Sequence, residues 1–69
     1  MNLLREIREG QKISQKKLSE MSNVPQQTIS AIESGERENP GIWTAMALSS
    51  ALGKTVEEVF GKKDDRQAS

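Results

Sequence analysis

Ser14 to Gly35 reads S-Q-K-K-L-S-E-M-S-N-V-P-Q-Q-T-I-S-A-I-E-S-G, two short helical periods hinged at Ser22-Asn23-Val24. The second period sets Gln26, Gln27 and Ser30 on one face and Ile29 and Ile32 on the other, at about 100° per residue. Such a helix has an apolar back and an amide-bearing front. Nothing in the stretch alternates with the period of two that a strand requires.

The same signals extend in both directions. Gly10, Gly35, Gly53 and Gly61 fall where helices should stop, because glycine tolerates the left-handed conformation that closes a helix end. Starts are marked by Asn2 before Leu3, Ser14 before Gln15, Asn39 before Pro40 at a first helical position, and Thr55 with Glu58 three residues on as a capping box. These signals predict five short helices, roughly 2–10, 14–21, 25–34, 40–52 and 55–60, and hence an all-α fold. The inward set predicted by the helical period is Leu4, Ile7, Ile13, Leu18, Val24, Ile29, Ile32, Ile42, Leu48, Leu52, Val56 and Val59, enough for one compact core. One domain is expected over 1–61, followed by a flexible tail over 62–69, where charged and polar residues lack periodicity.

Composition narrows the chemistry. The 69 residues contain no cysteine and no histidine, so neither a disulfide nor the usual zinc frameworks can staple the fold, and no metal or cofactor is expected. Cysteine-free composition without a long apolar run points to a soluble intracellular chain with no membrane partner. With one Trp, one Phe and no Tyr, an aromatic platform for single strands is disfavoured. Carboxylates are scattered over helix surfaces without an acid–base or nucleophile constellation, so no catalytic residue and no small-molecule ligand is expected.

Ten basic residues balance ten acidic ones, which weakens any purely electrostatic argument for nucleic acid. Their distribution is uneven: Arg5, Arg8, Lys12, Lys16 and Lys17 outnumber Glu6, Glu9 and Glu20 before Ser22, whereas Arg37 stands alone among Glu33, Glu36 and Glu38. A basic patch would therefore lie on the first two helices. The amide front of the third helix carries more information, since a carboxamide offers a donor and an acceptor side by side and can bond adenine at two points in the major groove. Taken alone, two glutamines are ordinary solvated surface residues, and Lys16 and Lys17 an ordinary soluble face.

The order and spacing of Leu4-x-x-Ile7-Arg8, Ile13-Ser14-Gln15-x-x-Leu18-Ser19, Asn23-Val24, Thr28-Ile29-x-x-Ile32-Glu33-x-Gly35, Pro40, and Ala51-Leu52-Gly53-x-Thr55-Val56-Glu57-Glu58-Val59-Phe60 resemble the lambda-repressor-like, Cro-type helix-turn-helix family, from about Leu3 to Phe60. The resemblance implies a compact five-helix DNA-binding domain whose second and third helices form the helix-turn-helix, the third lying in the major groove. It implies base reading by Gln26 and Gln27, with Thr28 and Ser30 as neighbours that contact a thymine methyl or the backbone. It makes Gln15 a phosphate contact that also braces the first glutamine of the reading helix. Lys12, Lys16, Lys17 and Arg37, with Asn39, become candidate backbone contacts, and Arg8 and Glu33 a partly buried ion pair between first and third helices. The implied partners are a symmetric double-stranded operator and a second copy of the chain, in the prokaryotic or phage-infected cytoplasm. The sign of regulation, the operator and the genes stay open.

Departures from the family pattern are equally specific. Ser19 stands for a usual Ala, Asn23 for the turn Gly, and Pro25 for a capping Ser or Thr. Glu36-Arg37-Glu38 replaces a usually basic loop. Trp43 and Ala47 occupy positions usually charged or polar, which suggests a self-association surface on the fourth and fifth helices built from Trp43, Ala47, Val56 and Phe60. Zero net charge and the acidic loop also admit a different class: a helix-turn-helix protein-interaction module, antitoxin-like, with weak or no DNA binding.

Overall fold

The computed structural model describes residues 3–37 and 40–61 as five helices: α1 (Leu4–Gly10), α2 (Gln15–Ser22), α3 (Gln26–Ser34), α4 (Ile42–Ala51) and α5 (Val56–Phe60). The expected tail over 62–69 and the expected caps Asn2 and Asn39 lie outside the described residues. α2 packs on α3 and α4, α4 on α5, and α1 on both α3 and α5. A backbone bond from Leu3 N to Val59 O, 2.8 Å, joins the two ends of this arrangement.

The core is aliphatic. Leu4, Leu18, Val24, Ile29, Ile32, Leu48, Leu52 and Val59 are buried together, with Ile7, Ile13, Ala47, Ala51 and Phe60 packed against them. Of the inward set predicted from the period, Ile42 departs clearly, being 60% exposed. The cause is where α4 begins. Pro40 does not open it; Gly41, at φ 91°, stands at the N-cap and the helix starts at Ile42. Ala45, Leu48, Ser49 and Leu52 make the inward stripe instead, and Ile42 sits on its flank, one turn ahead of it.

The hinge between α2 and α3 is held by a left-handed Asn23 and by the hydroxyls of Ser19 and Ser22. Asn23 adopts the left-handed conformation at φ 64°, which asparagine tolerates better than most residues. The Ser19 hydroxyl donates to Val24 O at 2.6 Å, and Ser22 Oγ donates to Leu18 O at 2.7 Å while accepting from Val24 N at 3.2 Å. Pro25 then serves as the N-cap of α3 without a side-chain bond.

Gly10 does not close α1. It is the last helical residue, and the left-handed turn falls on Lys12, φ 59°, with Lys12 N bonded to Glu9 O and Ile13 N to Arg8 O. This six-to-one and five-to-two closure recurs after α4, where Gly53 fills the left-handed position at φ 72°. At α5, Thr55 and Glu58 form the predicted capping box.

Two substitutions test this local reading. A left-handed lysine costs roughly 1–2 kcal/mol, against about 0.4–1 kcal/mol of extra unfolded-chain entropy for glycine. Lys12→Gly should therefore stabilise the domain by about 0.5–1 kcal/mol. Ser49 is 2% exposed and its hydroxyl has no partner among the described residues. An unsatisfied buried hydroxyl costs about 1–3 kcal/mol, and each kcal/mol shifts the thermal midpoint of a domain this size by about 4–8 °C, so Ser49→Ala should raise it by at least that much. Helical circular dichroism on heating measures both, and a lowered midpoint in either variant contradicts the corresponding account.

Candidate nucleic-acid interface

α3 presents its amide front to solvent. Gln26, Gln27 and Ser30 are exposed, Thr28 is half-buried, and Ile29 and Ile32 are fully buried behind them. At about 100° per residue the three exposed side chains fall within one arc about 100° wide, so they can address a single surface together. Glutamine amides there are free of helix-internal demands and can turn donor or acceptor outward.

Beside the front, at the C-terminal turn of α3, lies a buried polar network. Arg8 Nε donates to Glu33 Oε2 at 2.7 Å, its Nη2 to Glu33 Oε1 at 3.0 Å, and its Nη1 to Ile13 O at 2.7 Å. The side chains of Arg8 and Glu33 are 9% and 5% exposed. Gln15, the first residue of α2, donates its amide to Glu33 Oε1 at 3.0 Å. No hydrogen bond joins Gln15 to Gln26 among the described residues, so its brace on α3 runs to the C-terminal turn rather than to the first glutamine. Burial alone would push the Glu33 carboxyl up, but the hydrogen bonds from Arg8 and Gln15 and the charges of Arg8 and Arg5 outweigh it and hold the group below the ordinary glutamate value. The bond to Glu33 raises Arg8 despite its burial, helped by the charges of Glu33 and Glu9.

Arg5, Arg8, Gln15, Ser30, Glu33 and Ser34 line an open cleft of about 260 Å³ where α1, the start of α2 and the flank of α3 meet. Lys12, Lys16, Lys17 and Arg37 are all exposed. Ser14 caps α2 by accepting from Lys17 N at 3.0 Å, at the positive end of a helix dipole. The set expected for self-association is divided: Trp43 is 79% exposed, while Ala47, Val56 and Phe60 are half-buried, Ala47 and Phe60 against the domain's own core.

Several contributors escaped sequence reasoning. Arg5, paired with Glu9 at 3.2 Å, and Ser34 belong to the cleft wall but carry no local motif. Gln11 donates to Leu52 O at 2.8 Å, satisfying the end of α4 from across the fold. Ile42 and Met46, 60% and 46% exposed, join Trp43 on the outer face of α4. Among the described residues no helix is long and apolar enough to cross a membrane, and no group of three or more His, Cys, Asp or Glu could hold a metal ion.

With this geometry in hand, comparison with known families finds a match to a family model described as helix-turn-helix, covering residues 4–59. Comparison with curated proteins and with solved structures finds no match.

The network predicts a coupled, pH-dependent contribution to stability. Removing one partner of a well-buried pair costs about 3–5 kcal/mol, and a domain of this size holds only about 3–10 kcal/mol in total. Arg8→Met and Glu33→Gln should each approach the limit of folding, with the double variant less destabilised than their sum. Glu33 is held lower in the folded than in the unfolded chain, so its contribution is complete above its ordinary value of 4.5 and fades as pH falls through and below that value. Urea titrations across that range should show wild type losing stability on acidification, and Glu33→Gln losing less. Strict additivity, or identical acid profiles, would contradict the coupling.

Proposed function

We infer the function from one premise: the chain belongs to the Cro/C1-type helix-turn-helix family. It is accordingly a DNA-binding regulator of the helix-turn-helix kind, and we propose that it reads specific sequence in double-stranded DNA and controls transcription, as a repressor or controller protein, from a symmetric operator bound by two copies. The observation that carries this reading is the exposed row of Gln26, Gln27 and Ser30 on α3, backed by buried Ile29 and Ile32. In this reading Gln26 and Gln27 bond base edges, and Thr28 and Ser30 contact a thymine methyl or the sugar-phosphate chain. Gln15, Lys12, Lys16, Lys17, Arg37 and Asn39 hold the backbone. The same reading puts the protein in the prokaryotic or phage-infected cytoplasm, associated with the nucleoid when bound.

Zero net charge favours a second reading, an interaction module of the same fold with little DNA affinity. The two differ in one measurement. Selection of duplexes from a randomised pool at two salt concentrations should yield a consensus for the wild type. Gln26→Ala and Gln27→Ala should each relax it at particular positions, by about 1–3 kcal/mol of discrimination. The logarithmic salt slope should be no steeper than about −4 per subunit, the limit for four cations at about 0.9 each. If both variants select the wild-type consensus with wild-type affinity, base reading by these amides is wrong. If no consensus emerges at either salt, the interaction module is the better account.

A further inference from the structure

From Pro40 to Gly53 not one residue is charged, in a chain whose charged fraction is 29%. α4, at the centre of that stretch, is therefore apolar nearly all round, the pattern of a helix covered on every side. The domain covers only part of it. The exposed residues of α4 are Ile42, Trp43, Met46 and Ser50, and at about 100° per residue they fall on a single arc about 100° wide. This is a continuous face, distinct from the flank on which Thr44, Ala47 and Ala51 are half-buried.

We propose that this arc, anchored by Trp43 and flanked by Ile42 and Met46, is the surface through which a second copy of the chain pairs with the first. The proposal deepens the operator-bound dimer inferred above and rests on that reading for its role. It also changes the composition of the surface, since Ala47 and Phe60 serve their own core.

Charge and area select the occupant. The arc offers no cation for a phosphate, so DNA is a poor fit, and a charged protein partner would bury its own charges there unpaired. Two copies related by a two-fold axis set an uncharged face against an identical one, with no like charges opposed. A tryptophan presents about 150–250 Å², and with Trp43 at 79%, Ile42 at 60% and Met46 at 46% exposure the patch is on the order of 400 Å², at the size of the largest apolar patch on an ordinary monomer. Two such patches bury on the order of 800 Å², short of the roughly 1,200–2,000 Å² of a stable interface. Pairing is therefore weak in free solution and completed when adjacent half-sites bring two subunits together.

Trp43 is the sole tryptophan, so its emission reports the patch directly. The test uses the whole chain without DNA, from about 1 µM to about 1 mM, a range that brackets weak association, followed by sedimentation and tryptophan fluorescence. The mass should rise from one chain towards two while the emission moves to shorter wavelength in step. Ile42→Glu and Met46→Glu replace exposed side chains and should keep the helical spectrum and melting midpoint, yet weaken pairing at least about tenfold. Gln26→Ala should pair like wild type, so loss of base reading and loss of pairing are read separately. A chain that stays monomeric across the range overturns the proposal. So does pairing that leaves the emission unshifted, pairing that both glutamate variants retain, or a blue emission in a chain of monomer mass, which would mean that the patch is covered from within.

Discussion

A guanidinium taken out of water must find acceptors for its donors, and Arg8 finds them on two other segments of the chain. Its fork closes on both carboxylate oxygens of Glu33 and on Ile13 O, joining the end of α1, the segment that leads into α2 and the last turn of α3. Gln15 adds the first residue of α2 to the same carboxylate. Because the fork is planar and rigid, these bonds leave α3 little freedom to slide or rotate against α1. The amide front adjoins that anchor, since Ser30 and Glu33 line the same cleft. A buried ion pair is weak evidence of net stability, since desolvation offsets much of the attraction; here its consequence is positional, holding Gln26, Gln27 and Ser30 in register with the start of α2.

The hinge adds a second positional constraint by different means. A glycine would give the left-handed turn at no steric cost. Asn23 accepts a modest conformational penalty, and the hydroxyls of Ser19 and Ser22 then bond the backbone on either side of the turn. Ser19 replaces the small alanine that close helix packing favours, and its hydroxyl is satisfied by Val24 O instead of being left buried and unpaired, which would be costly. Ser19 is thus accommodated locally, and α3 leaves the turn at Pro25 without a side-chain cap.

What was legible in the sequence depended on how local the physics was. Gly35, Gly53, Gly61 and Asn23 were readable because each pairs a helix end with a residue suited to positive φ. Gly10 misled for the same reason: the closure falls two residues later, at Lys12, where Ile13 N reaches Arg8 O and Ile13 O in turn receives the Arg8 guanidinium. The period identified Ile29, Ile32, Leu48 and Leu52 as buried, but it could not see that α4 begins at Ile42 and carries that residue past the end of its neighbours. Gln11 bonding Leu52 O is invisible to any window, being a contact across 41 residues. The Arg8 and Glu33 pair, 25 residues apart, was legible only through the family pattern, and the amide front was legible because one helical period contains it whole.

The charge distribution distinguishes α2 from α4. Lys12, Lys16 and Lys17 lie on α2 and just before it, whereas α4 carries no charged residue. A single core of this size supplies only a few kcal/mol of net stability, and each large apolar side chain left outside forgoes about 1.5–3 kcal/mol of burial. Leaving Ile42, Trp43 and Met46 in water is therefore a substantial omission for so small a domain. A second copy covering that face would bind the folded chain and not the unfolded one, so association would add to folding stability by mass action. On the proposed reading, folding, pairing and the placement of two copies of α3 would then be linked through one helix outside the amide front.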